Sequence, residues 1–107
     1  MPTAPKSQIL HMLEMVSYQD AAVVSRQITK TEAGNVTLFA FDKDQGLSEH
    51  TAPFDALVQI LEGEAQVTIS GKPFDIKIGD AIIMPANEPH ALKAIQRFKM
   101  LLTMIRA

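Results

Sequence analysis

The chain has 107 residues, 47% of them hydrophobic and 21% charged, with a formal net charge of -2. That is enough chain for one domain around one hydrophobic core, and the hydrophobic share excludes an intrinsically disordered protein. The small negative charge, without any basic run, argues against nucleic acid or an anionic membrane as a direct partner, and the absence of cysteine excludes disulfides and thiolate metal sites.

Residues 1–8 are polar and proline-containing and read as a loose tail ahead of a single domain over 9–107. They lack the apolar core of a secretory leader, and no apolar stretch approaches the length of a membrane span, so the expected location is cytoplasmic. Between Ile9 and Val16 the apolar residues follow a mixed period, and a short strand or a helical turn fits equally well. Residues 22–31 are rich in β-branched side chains. After the turn signal Ala33-Gly34-Asn35, residues 35–42 alternate Val36, Leu38 and Ala40 against Thr37, Phe39 and Phe41.

Downstream the punctuation is regular. An apolar run at 57–61 ends in Glu62-Gly63-Glu64, and Ala65, Val67 and Ile69 then alternate with polar residues as a half-buried strand does. Ser70-Gly71-Lys72 turns again before Phe74, Ile76 and Ile78. Gly79-Asp80 introduces the run 81–84, which Pro85 ends, and strands at 91–95 and 98–105 complete the series. Short strands at even spacing with glycine or proline between them predict an all-β sandwich or barrel.

The last run is apolar on both faces, with Phe98, Met100, Leu102 and Met104 on one and Leu101 and Ile105 on the other. Such a strand is covered on both sides. The cover is either a loop of the same chain or a second subunit. Because the apolar N-terminal segment also needs a cover, a homodimer is expected.

Two blocks carry the chemistry. One runs from Asp44 to Gly63 with His50, Ala52 and Ala56 inside it; the other runs from Gly79 to Ala94 with Pro85, Asn87 and His90. Both resemble the paired motifs of the cupin superfamily, written G-x5-H-x-H-x3-E-x6-G and G-x5-P-x-G-x2-H-x3-N. The resemblance covers roughly residues 36–105 and implies a double-stranded β-helix, or jelly-roll, barrel. It does not imply one activity, since such barrels serve as isomerases, dioxygenases, decarboxylases, sugar-binding modules and storage proteins.

The spacing has its own logic. Strand residues two apart face the same side, so His50 and position 52 point together into a barrel; position 56 starts the return strand, and His90 starts a later one. Four such ligands could converge on one ion, and imidazole with carboxylate suits Mn, Fe, Ni or Zn. Here alanine occupies two of the four places, leaving His50 and His90, with Asp55 as a third ligand if a bulge after Pro53 re-aims it. Otherwise Asp55 caps the neighbouring turn, and the histidines are a neutral hydrogen-bonded pair.

Alanine at 52 and 56 enlarges the interior and makes it less polar. The expected pocket is formed by His50, Asp55, Phe41, Met84, His90 and Met100, with methionine serving either as lining or as plain core packing. Two functions are left open. One is binding of a small molecule at a degenerate metal site, with no cofactor or a weakly bound divalent Zn, Mn, Fe or Ni. The other is a metal-dependent dioxygenase or isomerase using His50, His90 and a third ligand.

Overall fold

The structure is a computed structural model that describes residues 3–106. Its nine strands are β1 (Val23–Thr31), β2 (Gly34–Phe41), β3 (Gly46–His50), β4 (Phe54–Glu62), β5 (Glu64–Ile69), β6 (Lys72–Lys77), β7 (Ala81–Met84), β8 (His90–Ala94) and β9 (Phe98–Arg106). The expected elements are all present. The departure is β4, which begins three residues before the apolar run at 57–61, because Phe54, Asp55 and Ala56 pair with Arg106, Ile105 and Met104 of β9.

The strands form two antiparallel sheets, ordered β1-β2-β9-β4-β7 and β3-β8-β5-β6. Their inner faces enclose one core, as in a double-stranded β-helix. Phe41, Val58, Val67, Phe98 and Met100 are fully buried there. Phe41 and Phe98 stack at 4.4 Å between ring centroids and 9° between planes within that core. Gly63 turns the chain from β4 to β5 at φ +79°, and a Cβ there would lie 1.8 Å from the Arg97 carbonyl oxygen, so the turn admits only glycine.

The two-faced last strand has a cover within the chain. β9 lies centrally between β2 and β4. Leu38, Ala40 and Leu101 pack on its outer side against Met12, Met15, Val16 and Tyr18 of the N-terminal segment. That segment is neither strand nor α-helix but a single 3-10 turn at Met12–Glu14. It is pinned by polar contacts: Tyr18 donates its hydroxyl to Glu62 at 2.6 Å, and the buried Lys99 ammonium donates to the Leu13 carbonyl at 2.6 Å. Burial and the Glu62 carboxylate push the Tyr18 hydroxyl well above the ordinary phenol range. Ahead of that segment, the Ala4 N–H donates to the Ile28 carbonyl of β1 at 2.8 Å. No helix among the described residues is long and apolar enough to cross a membrane.

Candidate functional site

β3 is the edge strand beside β8. The register slips between Leu47 and His50, a bulge after which His50 stands directly opposite His90. The bulge thus lies before His50, and it aims the histidine rather than Asp55. The two rings meet edge to face, with centroids 4.4 Å apart and planes at 72°.

The backbone sets the polarity of both rings. The Nδ1–H of His50 donates to the Ser48 carbonyl at 2.7 Å, and the Nδ1–H of His90 donates to the Glu88 carbonyl at 3.1 Å. A carbonyl oxygen only accepts, so both protons belong on Nδ1, and in a neutral ring Nε2 keeps its lone pair. The two Nε2 atoms face each other at 3.1 Å. Two bare lone pairs at that distance repel, so the pair is completed by one proton or by one electron-poor ligand.

His90 is only 4% exposed, whereas His50 lies open at the mouth of the barrel. Burial holds the His90 imidazole below its ordinary value, charge on His50 acts in the same direction, and the bond to the Glu88 carbonyl offsets them in part. His90 is therefore neutral at pH 7, with its Nε2 available.

Behind the pair lies a cavity of about 40 Å³, lined by Leu47, His50, Ala52, Ala56, Met84, His90, Leu92, Met100, Leu102 and Met104. It holds a few water-sized groups, against roughly 300–1,000 Å³ for a pocket that takes a drug-sized ligand. A broader hollow of about 600 Å³ beside Lys30, Thr31, Glu32 and Arg106 is an open surface depression that includes neither histidine.

Of the expected pocket residues, the structure brings together His50, His90, Met84 and Met100. Phe41 is not among the lining; it is committed to its stack on Phe98. Asp55 is exposed, and its carboxylate accepts the Ala86 N–H at 2.9 Å, so it ties β4 to the β7–β8 loop instead of facing the histidines. Met104 is a lining residue that the sequence reading left out, although its alternation with Met100 and Leu102 already put it on their face.

This set does not fit the divalent centre of the intact motif. Among the described residues no three His, Asp or Glu side chains converge. Ala52 and Ala56 line the cavity where further ligands would stand, so a divalent ion would meet two neutral nitrogens and no anion.

A jelly-roll barrel with a histidine pair at the mouth of its interior defines the class: a single-domain barrel of the cupin type. The cupin domain model matches residues 37–105, and the chain belongs to that family. The chain is similar to a conserved protein of unknown function from Streptococcus pyogenes, at 32% identity and TM-score 0.91, over 100% of this chain and 96% of that one. It is 38% identical to a cupin 2 conserved barrel domain protein from Leptotrichia buccalis, at TM-score 0.88, over 91% of this chain but only 47% of that one. A cupin superfamily protein from Desulfitobacterium hafniense is 26% identical at TM-score 0.90, over 99% and 97% of the two chains. No curated protein matches.

Proposed function

We propose that this cupin binds a small ligand through the His50–His90 pair, without the divalent-metal catalysis of a complete ligand set. The observation that carries the reading is the pair of Nε2 lone pairs, held 3.1 Å apart by two backbone acceptors at the mouth of an apolar chamber. A cavity of about 40 Å³ limits the bound part of the ligand to a few heavy atoms. The alternative, a metal-dependent dioxygenase or isomerase, needs a third oxygen or nitrogen ligand. The Asp55 carboxylate, its candidate, is engaged with Ala86.

The test is a thermal-shift screen of untagged protein against small carboxylic acids, phenols and metal salts, with metal analysis of the same preparation. A ligand that binds only the native state raises Tm by mass action. A saturable rise that disappears in both His50→Ala and His90→Ala supports the proposal. Stoichiometric Fe, Mn, Ni or Zn that the same variants lose would establish the alternative, and a rise that persists in both variants would overturn the proposal.

A further inference from the structure

Ala56 occupies the carboxylate position of the first motif. Its cross-strand partners are Met84 on β7 and Met104 on β9, so the missing ligand has a methionine on either side in the same row of the sheet. Directly paired residues on adjacent antiparallel strands project from the same face. Met84, Ala56 and Met104 accordingly line one cavity, together with Met100, His50 and His90. Where the motif would place a hard oxygen anion, this chain has a gap bordered by thioethers.

Resting on the binding reading above, we propose that the ligand is a soft monovalent metal ion, Cu(I), held by His50, His90 and thioether sulfur from Met84 and Met104. Three observations converge on that ion. The first is the bite of the pair: bonds of ~2.0–2.1 Å to nitrogens 3.1 Å apart subtend an angle of roughly 100°, which suits two ligands side by side on one ion. Because the backbone carbonyls take both Nδ1–H groups, it is the Nε2 atoms that present the lone pairs such bonds need.

The second is charge. The cavity offers only neutral donors, and no Asp or Glu joins the histidines among the described residues. The cost of burying an ion grows with the square of its charge, so a dication loses about four times as much solvation as a monocation, with no anion here to offset it. The third is softness, since thioether sulfur suits Cu(I), whereas Mn and non-haem Fe prefer the oxygen and nitrogen ligands that alanine has removed. The cavity of about 40 Å³ has room for an ion with at most a few water-sized groups.

The experiment is anaerobic titration of untagged protein with Cu(I) against a chromogenic chelator, repeated with Ag(I) as a redox-inert surrogate and with Zn(II). One equivalent of Cu(I) and of Ag(I) should be withheld from competitors, with Zn(II) bound far more weakly. Met84→Leu with Met104→Leu preserves volume and hydrophobicity, so folding should survive. Its Cu(I) affinity should fall by more than the roughly 10–100-fold typical of losing a partner one layer beyond the metal. X-ray absorption at the copper edge should show nitrogen and sulfur scatterers in the wild type and nitrogen alone in the double variant. Equal Cu(I) affinity in wild type and the methionine variant, or tighter Zn(II) than Cu(I), overturns this inference and leaves the histidine-pair reading standing. Cu(I) binding that survives His50→Ala and His90→Ala overturns both.

Discussion

His50 and His90 face each other through Nε2 at 3.1 Å while each commits Nδ1 to a backbone carbonyl. The pair is thus oriented by backbone carbonyls, and among the described residues no carboxylate bonds either Nδ1 to raise its basicity. Any ligand it binds must compete with a proton for the same two nitrogens.

That competition gives a pH dependence with a definite sign. Burial holds His90 below its ordinary value of 6.5, so the unfolded chain takes up the proton first as pH falls. Stability rises with pH wherever the unfolded state binds more protons. The contribution is therefore fully present above pH 6.5 and is lost as pH drops from there toward the lower native value. Asp42, which the Arg97 guanidinium and the Ala21 N–H hold below its ordinary 3.8, acts in a separate window at more acid pH. Urea midpoints at pH 7.5 and 5.0 should show the wild type weaker at the lower pH and His90→Gln nearly level. A drop of the same size in His90→Gln would place the titration elsewhere.

Phe41 and Phe98 are both fully buried in the core and stack at 4.4 Å. Truncation of a buried phenylalanine removes its transfer energy and leaves a cavity, so Phe98→Ala should lose ~3–5 kcal/mol in denaturant melts. Because neither Phe41 nor Phe98 lines the histidine cavity, ligand affinity per folded molecule should be unchanged. Reduced affinity in the folded fraction would mean that this stack also shapes the site.

Asn87 stands where the second motif has glycine and adopts φ +65°; Asp44 stands at the first glycine of the first motif and adopts φ +69°. The substitutions preserve the conformation because Asn and Asp are the non-glycine residues that visit the left-handed region most readily. Asn87→Val should lose ~1–2 kcal/mol at the loop that leads into His90, whereas Asn87→Gly should change stability little. Thermal melts of the two variants decide this, and equal losses would show that the Asn87 side chain matters more than its backbone.

These residues also show why the fold was legible in the sequence while the site was only half so. Strand alternation and turn residues depend on near neighbours, and the motif spacing singles out both histidines. What spacing could not supply was register. The slip before His50 sets it opposite His90, and the pairing of β4 with both β7 and β9 puts Met84 and Met104 beside Ala56. Asp55, readable either as a third ligand or as the cap of a neighbouring turn, accepts from the Ala86 N–H, a partner 31 residues away that spacing does not reveal. Phe41 points inward as its alternation implied, but it faces the packed end of the interior rather than the cavity.

The outer face of the larger sheet divides in two. Leu38 and Leu101 lie under the N-terminal segment, whereas Ile83 and Ile105 stay 60% and 59% exposed. The apolar second face of β9 is thus partly satisfied within one chain, and the open remainder is the surface through which we propose that two copies associate. Light scattering should give the mass of two chains for the wild type and of one for Ile83→Lys with Ile105→Glu. A monomeric wild type would show that the N-terminal cover is sufficient by itself.

Rebuilding the motif tests from the opposite direction whether the missing ligands are what separates this chain from a divalent-metal protein. Ala52 lines the cavity and is half-buried, so Ala52→His can place a third imidazole there without displacing core side chains. Three imidazoles with an open position form a recognised zinc set, with bonds of ~2.0–2.1 Å. Ala56→Glu is a harder change: the site is buried between Met84 and Met104, and about 40 Å³ of free volume leaves little room for a longer side chain. Overpacking of that kind commonly costs ~1–3 kcal/mol, which makes a smaller residue at 104 a necessary companion. Ala52→His alone should therefore bind Zn(II) or Ni(II) stoichiometrically by calorimetry, with a Tm that rises with metal and returns when it is chelated. Addition of Ala56→Glu with Met104→Ala should tighten that binding and weaken Cu(I), because the set exchanges a thioether for an anion. If Ala52→His gains no divalent affinity, the His50–His90 geometry is committed to something other than a divalent metal.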